Sequence, residues 1–234
     1  MLSAIAENLA AIQERIRSAC LRVGRDPAGV RLVAVSKTVP AERIREAVAA
    51  GVTILGENYA QEARPKMDQL QDLSVSWHFI GHLQSNKARV AVESFDWVHT
   101  LDRESLARAL NREALKRGKP LSVLIQVNVG EELSKSGLAP EQAPALFRAV
   151  ASLEGLLVRG LMALPPYFQE PERVRPYFRQ LAGILAQLHQ VAPHPEVLTE
   201  LSMGMSDDFE VAIEEGATLV RIGTALFGER PAAK

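Results

Sequence analysis

Arg31-Leu32-Val33-Ala34-Val35-Ser36-Lys37 is a short apolar run, rich in valine, closed by a hydroxyl and a cation. It is too short for a buried helix and does not alternate with polar residues, so it suits a strand covered on both faces, as in a parallel sheet. Seven further runs of this kind follow, at residues 53–58, 77–81, 97–100, 122–129, 157–164, 200–205 and 219–224. Helical periodicity fills the intervals, at 40–50, 60–71, 84–93, 103–117, 140–153, 171–191 and 207–215. Strands alternating with helices give parallel pairs joined by crossovers, and eight such units within ~250 residues predict a TIM (β/α)8 barrel. A doubly wound open sheet is the alternative, but no G-x-G-x-x-G follows the first strand, where a dinucleotide fold places it. The reading is therefore α/β, a single barrel domain over residues 1–234.

Working outward, Leu2, Ile5, Leu9, Ile12, Ile16 and Cys20 fall at helical spacing ahead of the first strand and predict an extra amphipathic N-terminal helix. With 47% apolar and 24% charged residues the chain has an ordinary globular balance. Lys plus Arg number 27 and Asp plus Glu 28, so a net charge of -1 gives no electrostatic reason to expect nucleic acid or a membrane surface as partner. The single cysteine, Cys20, builds neither an internal disulfide nor a cysteine zinc site, and no metal site is expected. No signal peptide and no run approaching ~20 apolar residues occurs, so a cytoplasmic location is expected.

Barrel active sites lie at the C-terminal strand ends, which directs attention to the polar residues there. Lys37 closes an apolar run, and desolvation of an ammonium lowers its pKa toward the nucleophilic amine. A Schiff-base lysine and a solvated strand-end lysine both remain open on this residue alone. The loops after strands seven and eight, where barrels often hold phosphate, offer Gly204 and Ser206 and then Gly223 and Thr224. Ser206 suits the N-cap of the helix at 207–215, and Pro40 and Pro140 suit first helical turns. Asp207 and Asp208 would repel a dianion and are expected to face solvent. Arg221, inside the last strand, needs a carboxylate, carbonyls or a ligand as acceptor.

A first-strand lysine, phosphate loops after strands seven and eight, and an eighth-strand arginine together resemble a fold type III pyridoxal-phosphate protein. The chain is similar to the YggS/PROSC family, the pyridoxal 5'-phosphate homeostasis proteins, whose barrel is similar to the alanine racemase N-terminal domain. The resemblance runs nearly end to end through VAVSKT (33–38), GENYAQE (56–62), WHFIGHLQSNK (77–87), SKSG (134–137), LSMGMSDDFE (201–210) and VRIGTALFG (220–228). It implies that Lys37 carries pyridoxal 5'-phosphate as a Schiff base, that Ser206, Gly223 and Thr224 hold the phosphate, and that Arg221 faces the pyridine nitrogen. Asn58 would lie beside the ring, although an asparagine ending a strand is also a common backbone cap. His78 and His82 belong to the signature block and are read as ordering its loop, and Lys135 as a solvated charge with cofactor transfer left open.

The resemblance further implies a cytoplasmic protein that buffers the cofactor and supplies apo-enzymes, with no catalytic residue of its own. Related racemases take a second base, a tyrosine, from a C-terminal β-domain. That domain is not expected in a sequence ending at Lys234, and the tyrosines are Tyr59, Tyr167 and Tyr177. The alternatives kept are a pyridoxal-phosphate racemase or related enzyme, and a cofactor-independent aldolase using Lys37 on a sugar-phosphate carbonyl.

Overall fold

Strands that are apolar on both faces need cover on both, and the sheet supplies one of those covers by closing on itself. The computed structural model describes residues 3–130 and 136–229. Lys135, singled out above, lies outside them. Among the described residues the strands are β1 (Arg31–Val35), β2 (Ile54–Glu57), β3 (Ser76–Phe79), β4 (Trp97–Leu101), β5 (Leu121–Val127), β6 (Leu156–Ala163), β7 (Glu200–Ser202) and β8 (Leu219–Ile222). All neighbours are parallel, and β8 returns to β1, pairing Val33 with Arg221 and Ala34 with Ile222. The helices are α1 (Ala4–Arg22), α2 (Ala41–Ala49), α3 (Ala60–Gln69), α4 (Ala88–Ser94), α5 (Glu104–Arg117), α6 (Ala143–Val150), α7 (Arg175–Val191), α8 (Phe209–Glu214) and α9 (Thr224–Phe227). The TIM barrel with an extra N-terminal helix is thus the observed fold.

Side chains alternate across each strand, which sorts the core into two compartments. Outward-facing Ala34, Leu55, Phe79, Val98, Ile125 and Val220 pack under the helices. Inward-facing Val33, Ile54, Leu124, Met162 and Leu219 form a small cluster inside the barrel. The same interior also holds polar side chains, with His78, His99, Gln126, Ser202 and Arg221 all buried. Ser3 caps α1 by accepting from the Ala6 N–H, and the apolar stripe from Ile5 to Cys20 packs against α2, α8 and α9. Arg15 to Glu210 and Arg22 to Glu214 pin its polar edge to α8.

Several boundaries differ from the sequence reading. Pro40 keeps an extended ψ of 151° and stands at the N-cap of α2, one residue before the first helical turn. The segment at 84–93 opens as a 3-10 turn, Ser85–Lys87, before α4. β7 ends at Ser202 because Gly204 takes a φ of +90°, which leaves the extended region. Ser206 does not cap α8, which starts at Phe209 with Asp208 in the cap position.

Candidate functional site

The end of β1 is fixed by a buried ion pair on the outer face of the barrel. Ser36 donates to Glu57 Oε1 at 2.7 Å, and Lys66 of α3 donates to the same oxygen at 2.8 Å and to the Ser36 carbonyl at 2.7 Å. Glu57 is fully buried, so this contact with Lys66 both neutralises a buried charge and holds the backbone just before Lys37. On the other side Thr38 has a φ of +63°, which a β-branched residue adopts only under strain, and its hydroxyl donates to the Lys37 carbonyl at 2.6 Å. Lys37 is therefore held between an anchored residue and a strained one. It is half-buried and lines a cavity of about 270 Å³ together with Arg43, Gly223 and Thr224.

The loops after β7 and β8 meet beside this cavity. Thr224 Oγ1 donates to Ser206 Oγ at 3.1 Å, and the Ala225 N–H points at the same oxygen from 3.4 Å. A Cβ added at Gly223 would meet only Val35, at 3.4 Å, an ordinary contact. Packing does not demand glycine there, and the residue lines the cavity.

Asp207 is exposed, as expected, but Asp208 turns inward and accepts from the Met205 N–H at 2.6 Å. Burial raises its carboxyl pKa, offset in part by the Met205 N–H and the Arg221 charge. The carboxylate expected in solvent is thus engaged with its own loop.

Arg221 lies deeper in the barrel, 3% exposed, level with Val33. Its Nη1 donates to Ser202 Oγ at 2.6 Å and its Nη2 to the Ala163 carbonyl at 2.9 Å. Burial pulls its pKa down to about 10, against the opposing pull of Asp208, so it remains a cation at neutral pH. Asn58 follows β2, where Gly81 lets the β3 loop approach: a Cβ on Gly81 would fall 2.1 Å from the Asn58 carbonyl oxygen. Asn58 lines a second cavity of about 370 Å³ with Thr100, Gln126 and Met205.

Lys37, Gly223 and Thr224 therefore share one cavity, Ser206 is tied to Thr224, Arg221 sits deeper in the barrel, and Asn58 lines the second cavity. The two signature histidines separate. His82 is exposed and pairs with Ser136 Oγ at 3.1 Å, whereas His78 is buried inside the barrel. The sequence reading missed Lys66, which no strand-end pattern marks, and the interior pair His99 and Ser202. Their one signal was polar residues at inward positions of apolar strands. Among the described residues no cluster of three or more His, Cys, Asp or Glu is placed to hold a metal ion, and no helix is long and apolar enough to cross a membrane.

Comparison with known proteins finds relatives that match over nearly the whole chain. The family model for the alanine racemase N-terminal domain matches residues 2–231. A Pseudomonas aeruginosa protein named pyridoxal phosphate homeostasis protein is 52% identical over 229 residues, covering 98% of this chain and 97% of its own length. An Aquifex aeolicus protein of the same name is 48% identical, covering 96% and 97%. PipY of Synechococcus elongatus, solved with PLP bound, is 42% identical with a TM-score of 0.84, covering 96% of this chain and 100% of PipY.

Proposed function

The chain belongs to the alanine racemase N-terminal domain family and, within it, to the pyridoxal phosphate homeostasis proteins, and from that premise we propose that it binds pyridoxal 5'-phosphate reversibly through Lys37, buffers it and supplies it to apo-enzymes without catalytic turnover. The observation that carries this reading is one cavity at the C-terminal mouth of the barrel lined by Lys37, Gly223 and Thr224, with the buried cation Arg221 beneath the same end of the sheet. The residues fit the cofactor: Lys37, Gly223 and Thr224 line one cavity, and the Thr224 and Ser206 hydroxyls stand together beside it to meet an anion.

When bound, pyridoxal phosphate supplies an aldehyde that condenses reversibly with a primary amine, releasing water. Each residue then has a task its chemistry allows. The Lys37 amine is the nucleophile, and the anchored and strained neighbours fix the backbone from which it reaches into the cavity. Ser206 and Thr224 offer hydroxyl donors and Gly223 close backbone approach to the phosphate. Arg221, with donors only, would meet the pyridine nitrogen and keep it unprotonated, which suits holding a cofactor better than withdrawing electrons through it. Asn58 would stand beside the ring. Carriage is favoured over racemisation because relatives about 50% identical to this chain are named homeostasis proteins.

The test is titration of the purified protein and Lys37→Ala with pyridoxal phosphate, read by absorbance, alongside assays of D- and L-amino-acid turnover and of apo-enzyme reactivation. Saturable binding lost in the variant, reactivation by the loaded protein, and no turnover are expected. Sustained racemisation abolished by Lys37→Ala would overturn the carrier reading, and absence of binding to the wild type would overturn the cofactor itself.

A further inference from the structure

A hydrogen-bonded chain runs through the polar interior of the barrel, away from the mouth. Arg221 Nη1 donates to Ser202 Oγ at 2.6 Å, and Ser202 Oγ lies 3.0 Å from His99 Nδ1. His99 Nε2 is 2.9 Å from His78 Nδ1, His78 Nε2 is 3.2 Å from Ser76 Oγ, and Ser76 Oγ is 3.4 Å from Asp96 Oδ2. The chain starts at a buried cation on β8 and ends at a carboxylate after α4, crossing β7, β4 and β3.

The Ser76 to Asp96 bond sets the direction of the hydrogens along the chain. The Asp96 carboxylate only accepts, so the single Ser76 hydrogen goes to it and Ser76 accepts from His78 Nε2; a neutral His78 then accepts at Nδ1 from His99 Nε2, and His99 Nδ1 accepts from Ser202, which itself accepts from Arg221. Burial and the neighbouring His78, Arg221 and Arg31 hold His99 neutral, so its one N–H is at Nε2 and points at His78 Nδ1. His78 is held neutral in the same way and donates from Nε2 to Ser76, whose hydroxyl donates to Asp96. Asp96 Oδ2 also accepts from the Trp77 N–H at 3.1 Å, and His78 stacks on Trp97 with centroids 5.2 Å apart, which keeps its ring from turning.

Other interior positions are filled by Val33, Leu124 and Met162, so a polar chain is not required merely to fill the barrel. Buried polar networks tend to cost stability relative to apolar packing and specify orientation in return. We propose that His99, acting through Ser202 and anchored by His78, is a positioning residue that sets the orientation in which Arg221 meets the pyridine nitrogen of the cofactor. This rests on the pyridoxal-phosphate reading above and deepens it.

Two measurements test it. In the cofactor-free wild type, NMR of 15N-labelled histidine should show His99 and His78 as neutral rings protonated at Nε2 at pH 7; a proton on Nδ1 of either ring overturns the chain. With pyridoxal phosphate, His99→Ala should bind about tenfold more weakly and shift the absorbance band of the bound cofactor. His99→Asn, whose amide oxygen can accept from Ser202 in place of Nδ1, should restore both. If His99→Ala fails to fold, Ser202→Ala should give the same shift. A folded His99→Ala or Ser202→Ala with wild-type affinity and band position sinks the positioning role and leaves the carrier reading intact, whereas a wild type that binds no cofactor sinks the carrier reading itself.

Discussion

His78 titrates in the unfolded chain at its ordinary value of 6.5 but in the fold only at about 3, because burial and, next, the Arg31 charge disfavour the imidazolium. A group whose folded pKa is depressed gives stability that is fully present above the unfolded pKa and is lost as pH falls below it toward the folded one. Between 6.5 and pH 5 the loss follows 1.36 kcal/mol per pH unit, or about 2 kcal/mol for His78. His99 acts in the same direction. For a chain of this size 2 kcal/mol corresponds to a fall in Tm of about 4–8 °C. Asp208, whose pKa is raised by burial, works the opposite way, and the ion-paired carboxylates contribute at lower pH. The useful quantity is therefore a difference between variants, in which those terms cancel. His78→Asn keeps an acceptor for His99 and removes the titration. It should start less stable at pH 7 yet lose about 2 kcal/mol less than the wild type on going to pH 5, measured by urea unfolding at both pH values. Equal losses in the two proteins would refute the assignment of a neutral, buried His78.

Three further perturbations address other parts of the site. Lys66→Met strands the buried Glu57 carboxylate and should cost about 3–5 kcal/mol in urea unfolding, whereas a loss below about 1 kcal/mol would mean the pair behaves like a surface contact. Gly223→Ala should change unfolding free energy by no more than about 0.5 kcal/mol yet weaken pyridoxal phosphate more than unphosphorylated pyridoxal; equal weakening of both would remove Gly223 from the phosphate site. Thr38→Gly relieves a positive φ and should stabilise the cofactor-free protein by about 1 kcal/mol, raising Tm by about 2–4 °C, with a lowered Tm counting against strain at that position.

The barrel was legible because its signal is repeated: each apolar run from Leu32 onward says the same thing, and an error of two residues at any boundary leaves the topology unchanged. Lys37, Arg221, Gly223 and Thr224 were legible because strand position alone sends a residue to the mouth or the interior. Cap geometry was not. Ser206 and Asp208 are both good N-cap types two residues apart, and the choice between them turned on the hydroxyl contact with Thr224, a partner 18 residues away. Long-range polar pairing was equally hidden. Lys66 looks like any exposed lysine on α3 until Glu57 is seen beneath it, and His99 acquires its role only because Ser202, 103 residues later, stands opposite it inside the closed barrel. Asp208 was placed in solvent by its charge alone, which cannot register a Met205 N–H that needs an acceptor.

Borohydride reduction of the pyridoxal-phosphate-loaded protein, followed by peptide mapping, bears most directly on the central claim. Reduction makes the cofactor–amine link permanent, and the account predicts one modified peptide carrying the label on Lys37. A label on Lys66, Lys135 or another lysine with Lys37 unmodified, or no label after saturation, would contradict it.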